Sequence, residues 1–320
     1  MSHILHAYSV TVHKRRDTQA RLLGNFDEAG ADLLKLFVDF FNDPSKRDWM
    51  RPEINAAARV DKVCGPDDDH PDIMAAMVKS GEMGVASEFV ATTEDQLGET
   101  SLFQRKREHA ELVPVLVLAK IPGTRSKGFL ITHSPSGRGI KTRFWDAFRE
   151  WFGERFSDYR VDLDPTVPSS FYRKVMEKEG LKQVTLIRQL KPSDMVADDS
   201  RWFDERTLGT VRTVITPSNR LHHLRKTDVL AVLNREKNLD SLLVFRGDTY
   251  DEIRVTFSDS QGRAHSIYLG EGTGRAPRAG YDVTDQLKYG DENNYPTYES
   301  LRQAALQYID LLIESAGGST

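Results

Sequence analysis

The sequence predicts an α+β fold of mostly antiparallel sheets with packed helices, arranged as two sub-domains. Three observations carry that reading. Leu112–Ile121 and Lys127–His133 are apolar runs joined by the short turn Pro122-Gly123-Thr124-Arg125-Ser126, the pattern of an antiparallel hairpin. Ile253–Phe257 and Ala264–Leu269 flank Asp259-Ser260-Gln261-Gly262 and repeat the pattern. Helical segments fall between such hairpins without a βαβ rhythm, which argues against a doubly wound sheet. The 320 residues suffice for one large or two ordinary domains. Pro165 and Pro168 punctuate the chain and place a boundary near 165, giving domains over 1–165 and 166–320.

Taken in order, Ile4–His13 reads as a strand. Asn25-Phe26-Asp27-Glu28 has the form of a capping box opening a helix, with Phe26, Ala29, Leu33, Leu36, Phe37, Phe40 and Phe41 on one face and Asn42-Asp43-Pro44 closing it. An acidic loop, Gly65–Asp72, follows. Phe144, Trp145, Phe148, Trp151 and Phe152 recur at helical spacing, and Tyr159–Leu163 returns to a strand. In the second half a short helix is expected from Ser169/Ser170 to Gly180, with strands over Leu181–Leu190, Leu208–Ile215 and Ser241–Phe245. A helix is expected near 226–234. Pro296-Thr297 opens a terminal helix with Leu301, Ala304, Ala305, Tyr308, Leu311 and Leu312 on one face.

Hydrophobic residues at 39% and charged residues at 29% describe a globular, soluble chain. A net charge of −4 argues against a general coater of nucleic acid, so such contacts must come from local basic clusters. The lone Cys64 excludes an intramolecular disulfide and fits a reducing cytoplasm. The start Met1-Ser2-His3-Ile4-Leu5 lacks a basic region followed by a long apolar run, and a cytoplasmic, non-spanning protein is expected.

The basic clusters are Arg105-Lys106-Arg107, the loop Ser134–Arg143, and Arg220-Leu221-His222-His223-Leu224-Arg225-Lys226. In the loop, Gly137 and Gly139 permit close backbone approach, the following helix N-terminus offers N–H groups, and Arg138, Lys141 and Arg143 add full charges. That combination suits a phosphate or polyanion; a solvated turn is the alternative. It is not a nucleotide P-loop, because Ile140 separates Gly139 from Lys141 and Ser134 stands where the first glycine belongs. Gly270-Glu271-Gly272-Thr273-Gly274-Arg275 leads to Ala-Pro-Arg rather than a helix, so it reads as a basic surface loop and not a dinucleotide fingerprint.

Asp67, Asp68, Asp69 and Asp72 with His70 supply oxygen ligands of the kind a Mg2+-dependent nuclease uses. The competing reading is a solvated connector, since no lysine stands two residues beyond Glu88 and the supporting carboxylate spacing is missing. His3, His6 and His13 do not share a strand face, and neighbouring His222 and His223 diverge. Zinc spacings such as CxxC or HExxH do not occur. No cofactor and no catalytic residue is expected.

The order Leu112-Val-Pro-Val-Leu-Val-Leu118, Gly128-Phe-Leu-Ile131, Gly137-Arg-Gly-Ile-Lys-Thr142, Ser170-Phe-Tyr-Arg-Lys-Val-Met176 and Lys182-Gln-Val-Thr-Leu-Ile-Arg188 resembles the layout of bacterial phage-defence DNA-binding proteins of the RexA-like and KwaB-like type. The resemblance implies a cytoplasmic, dimeric, DNA-binding sensor that works with a membrane-embedded partner, and it supplies no catalytic residue. The expectation is therefore a sensor of DNA or RNA that binds through Arg138, Lys141, Arg143, Arg105, Lys106, Arg107, Arg220, Arg225 and Lys226. A nuclease using Asp67, Asp68 and Asp69, or a module that binds only proteins, are the alternatives. A homodimer is also expected, because the aromatic residues Phe144, Trp145, Phe148, Trp151 and Phe152 cover more than one helical face and the remainder needs another cover, for which a dimer interface is one solution and a contact with the second domain the other.

Overall fold

A computed structural model of the chain describes residues 2–46, 48–51, 56–84, 86–92, 97–136, 138–168, 181–189, 210–216, 231, 244–245, 248–250, 252–258, 264–270, 278–290 and 295–317. It is α+β, with antiparallel strands packed against helices. Two compact units emerge, one from Met1–His3, Ser9–Leu163 and Leu287–Ala305, the other from Ile4–Tyr8, Asp164–Gln286 and Leu306–Thr320. Among the described residues no helix is long and apolar enough to cross a membrane.

In the first unit β1 (His3–Lys14) lies beside β8 (Gly128–Pro135), and the order continues through β7 (Glu111–Lys120), β4 (Ile73–Glu82), β3 (Ala56–Cys64) and β2 (Asp48–Arg51). β9 (Tyr159–Pro165) pairs with β1 on the other side. The expected hairpin is present: β7 and β8 run antiparallel with Val117 opposite Thr132 and Lys120 opposite Phe129. Val115–Ala119 are fully or almost fully buried, which is why they read as a continuous apolar run instead of an alternating one. β3 and β4 form a hairpin around the acidic loop, and β5 (Ser87–Thr92) with β6 (Leu97–Arg105) forms a separate two-stranded sheet. Neither is evident in the sequence, because alanines and charged residues at these positions carry weak strand preference.

The first helix differs from expectation at its start. α1 covers Leu33–Asn42, and Asp32 caps it by accepting from the Lys35 amide at 3.1 Å. The proposed capping box at 25–28 is instead a loop: Asp27 Oδ1 accepts from Ala29 and Ala31 amides at 2.9 and 2.8 Å, and Gly30 takes φ +103°. Asparagine and aspartate side chains satisfy turn amides as readily as helical ones, so the sequence signature fits both.

α2 (Lys141–Arg155) buries all five of its large aromatics, Phe144, Trp145, Phe148, Trp151 and Phe152. α1 supplies much of the cover. Phe37 stacks on Phe148 at 4.3 Å between centroids, Phe41 on Phe144 at 5.2 Å, and Phe40 meets Trp151 edge-on at 5.6 Å. Trp151 Nε1 donates to Asp43 at 3.1 Å, which satisfies the one polar atom of the ring. The helix therefore finds its cover inside this unit and needs no second copy to bury these rings.

The second unit holds the antiparallel order β11 (Thr210–Ile215), β10 (Leu181–Gln189), β14 (Glu252–Ser258), β15 (Ala264–Gly270), β16 (Arg278–Asp282), with Ile4–His6 of β1 against β16. The short pair β12 (Val244–Phe245) and β13 (Asp248–Thr249) stands apart. The predicted hairpin appears as Glu252 opposite Gly270 through Ser258 opposite Ala264. α3 (Tyr298–Gly317) buries Leu301, Ala304 and Ala305 in the first unit. In the second it buries Tyr308, Ile309 and Leu312, with Tyr308 stacked on Tyr281 at 4.6 Å. The expected helix at 169–180 and the loop 271–275 lie outside the described residues, as does the expected helix at 226–234 except for Ala231, which is helical.

Candidate nucleic-acid interface

Two basic segments that are separate in sequence meet in the first unit. β8 ends at Pro135, and the loop turns through Ser136, whose φ is +47° and whose amide donates to Ser2 O at 2.7 Å. Ile140 is fully buried and anchors the loop, so α2 begins at Lys141. The expected loop 134–143 is thus shorter: Ser134 and Pro135 belong to the strand, Lys141 and Arg143 to the helix. No carboxylate lies in the first turn of α2, and no side chain caps it. Cations at this end add to the positive end of the helix dipole where an anion would ordinarily compensate it.

Glu111, at the start of β7, joins the two segments. Its Oε1 accepts from Arg138 at 2.9 Å and its Oε2 from Arg105 at 3.1 Å. Arg105 also donates to Glu82 O and, at 3.3 Å, to His109 O, and is 9% exposed. Arg143 donates to Ser80 Oγ and Gly81 O, both at 3.1 Å, and lies 4.0 Å from the Glu82 carboxylate. Gly81 is required for this closeness: a Cβ there would sit 1.6 Å from Glu111 O. The hydrogen bond and charge of Arg138, with Arg105, hold the Glu111 carboxyl below the usual carboxylate range. Glu111 in turn raises Arg138.

These partners change what each arginine does. Arg105 and Arg143 are largely committed to backbone carbonyls and position the strand ends, whereas the Arg138 side chain is 53% exposed. Arg105 to His109 form a tight turn, with the His109 amide on Lys106 O at 3.0 Å and the Gly84 amide on Arg107 O at 2.8 Å. Lys106 and Arg107 extend from it, exposed. Cations at 105, 106, 107, 138 and 143 outnumber the carboxylates of Glu82, Glu108 and Glu111, so the surface keeps a positive excess within a chain of net charge −4. Sequence reading missed Glu82 and Glu111, and the only local signal was that each ends or begins a strand.

The other candidates do not join this surface. Arg220, Arg225 and Lys226, with His222 and His223, lie outside the described residues. Asp67 accepts from the His70 amide at 2.7 Å and pairs with Arg302 at 3.3 Å, while Asp72 pairs with Lys120 at 3.2 Å. Asp68 and Asp69 face solvent. Among the described residues no group of three or more His, Cys, Asp or Glu is placed to hold a metal ion. His3 is buried beside His133, Nδ1 to Nε2 at 3.0 Å, with Tyr289 and Tyr295 edge-on to its ring. Its separation from His133 in sequence left that pair unforeseen. The chain matches no protein-family profile and no curated protein.

Proposed function

We propose that this chain binds nucleic acid through the surface made by the Arg105–Arg107 turn and the start of α2, as a sensor in a bacterial anti-phage system. One observation carries the reading: Arg105 and Arg138 share the Glu111 carboxylate, so two basic segments form one positive surface. Ion-paired arginine still has N–H donors for phosphate, and the glutamates hold the guanidinium groups in place before a ligand arrives. The setting in phage defence, a cytoplasmic location, a homodimer and a membrane-embedded partner follow from the family resemblance alone. The acidic loop gives the nuclease alternative no support, because Asp67 and Asp72 are engaged by Arg302 and Lys120.

The test is binding of labelled DNA and RNA across a salt series. Phosphate contacts release counterions, so affinity is expected to fall steeply with salt. Lys106→Glu with Arg107→Glu is expected to weaken binding at least about tenfold and to flatten the salt slope by roughly two contacts. Both side chains are exposed, so the thermal midpoint should stay put. Replacing Arg143 is a poorer test, since its guanidinium holds Ser80 and Gly81. Unaltered binding by the folded double variant would remove this surface from the function.

A further inference from the structure

The sheet of β5 and β6 carries an aromatic row that leads into the arginine surface. Phe89 and Phe103 are directly opposed across the two strands, with centroids 5.9 Å apart, and Phe103 stacks on His109 at 5.6 Å with 17° between planes. The two phenylalanines are 46% and 51% exposed. Side chains alternate along the regularly paired stretch, so Arg105 and its opposite number Ser87 share the face of Phe103 and Phe89, while Glu88 and Gln104 take the other. At one end of the row stands the turn bearing exposed Lys106 and Arg107, folded so that the Lys106 amide reaches His109 Nδ1 at 3.3 Å. The face therefore carries a phenylalanine pair flanked by His109 and is cationic at the adjoining turn.

We propose that this face takes unpaired bases of a single-stranded nucleic acid, stacked on Phe103 and Phe89, with the phosphate backbone led towards Lys106, Arg107 and Arg138. The inference rests on the proposed nucleic-acid function and adds the strandedness of the ligand. Charge decides the occupant. A protein segment covering two phenylalanines would want apolar surroundings, yet the aromatic row runs into two exposed basic residues, Lys106 and Arg107. Flat rings beside cations are what a base and its phosphate require together, and stacking tolerates any base. In a duplex the base faces are covered by their neighbours, so the rings gain nothing from it.

The experiment compares anisotropy of three fluorescein-labelled probes on the full chain: an oligothymidylate, a duplex, and an abasic deoxyribose-phosphate strand of the same length. The expected order is oligothymidylate tightest, with Phe103→Ala or Phe89→Ala weakening it by about tenfold and leaving duplex and abasic strand unchanged. Phe103→Tyr, which keeps the ring, is expected to restore binding, and this excludes misfolding as the cause. Equal binding of all three probes, lost in the Lys106/Arg107 variant but not in the phenylalanine variants, would overturn the stacking site while leaving the nucleic-acid reading intact. Binding of none of the probes would overturn both. A dimer in light scattering that Phe103→Ala disperses, with nucleic-acid affinity unchanged, would assign the row to a second copy and overturn the proposal.

Discussion

Glu111 sets the geometry at the residue scale, because one carboxylate orients two guanidinium groups drawn from different strands and loops. Its folded-state pKa lies below the usual value, so the stability it lends is present above about pH 4.3 and lost as pH falls through the folded value. Glu111→Gln is therefore expected to be less stable than the parent near neutral pH, with the two converging as pH falls through the lowered folded-state value. The gap should stay under about 1 kcal/mol, since the carboxylate is 43% exposed and solvent screens the pair. Urea midpoints measured across that pH range check it, and a gap that widens on acidification would contradict the shared pairing. Gly81 belongs to the same arrangement, since any side chain there would drive β4 from Glu111.

α2 is the element on which the first unit's core depends. Phe148 is fully buried, stacked on Phe37 at 4.3 Å and edge-on to Phe40 at 5.4 Å. Truncating it to alanine removes the transfer energy of the ring and leaves a cavity between two helices, with an expected cost of about 3–5 kcal/mol. Denaturant unfolding measures that loss. A cost below about 1 kcal/mol would mean that α1 and α2 do not pack through these rings. The same helix starts with Lys141 and Arg143, both half-buried, and Arg143 bonds to Ser80 and Gly81, so the burial of the helix fixes where Arg143 meets β4. Trp151 and Arg155 close the other end, the guanidinium 3.9 Å from the ring centroid.

Across the molecule, neither unit is one continuous stretch of chain. The first unit needs Leu287–Ala305, from which Tyr295 donates its hydroxyl to Pro114 O, Lys62 sits 4.6 Å from the Tyr298 ring centroid, and Arg302 reaches Asp67. A fragment of residues 1–165 would lose these contacts and uncover the ring of His3, which is otherwise buried. It is expected to unfold at a lower denaturant concentration than the whole chain, with amide exchange fastest in β1 and β7. Equal midpoints would mean that the returning segment adds nothing to the fold.

By itself the sequence determined the α+β class, the β7–β8 and β14–β15 hairpins, the aromatic run of α2 and the apolar face of α3. Each depends on side-chain periods of two or 3.6 residues, which neighbours along the chain express without reference to anything distant. The hairpins of β3–β4 and β5–β6 escaped because alanine and charged residues blur that period. Only the tertiary structure decided that Arg105 and Arg138 meet on Glu111, that Asp67 pairs with Arg302, and that His3 lies against His133. Those contacts join positions far apart in sequence. The register of β4 on β7, the absence of a Cβ at Gly81 and the return of 287–305 set them, and local periodicity holds none of that information.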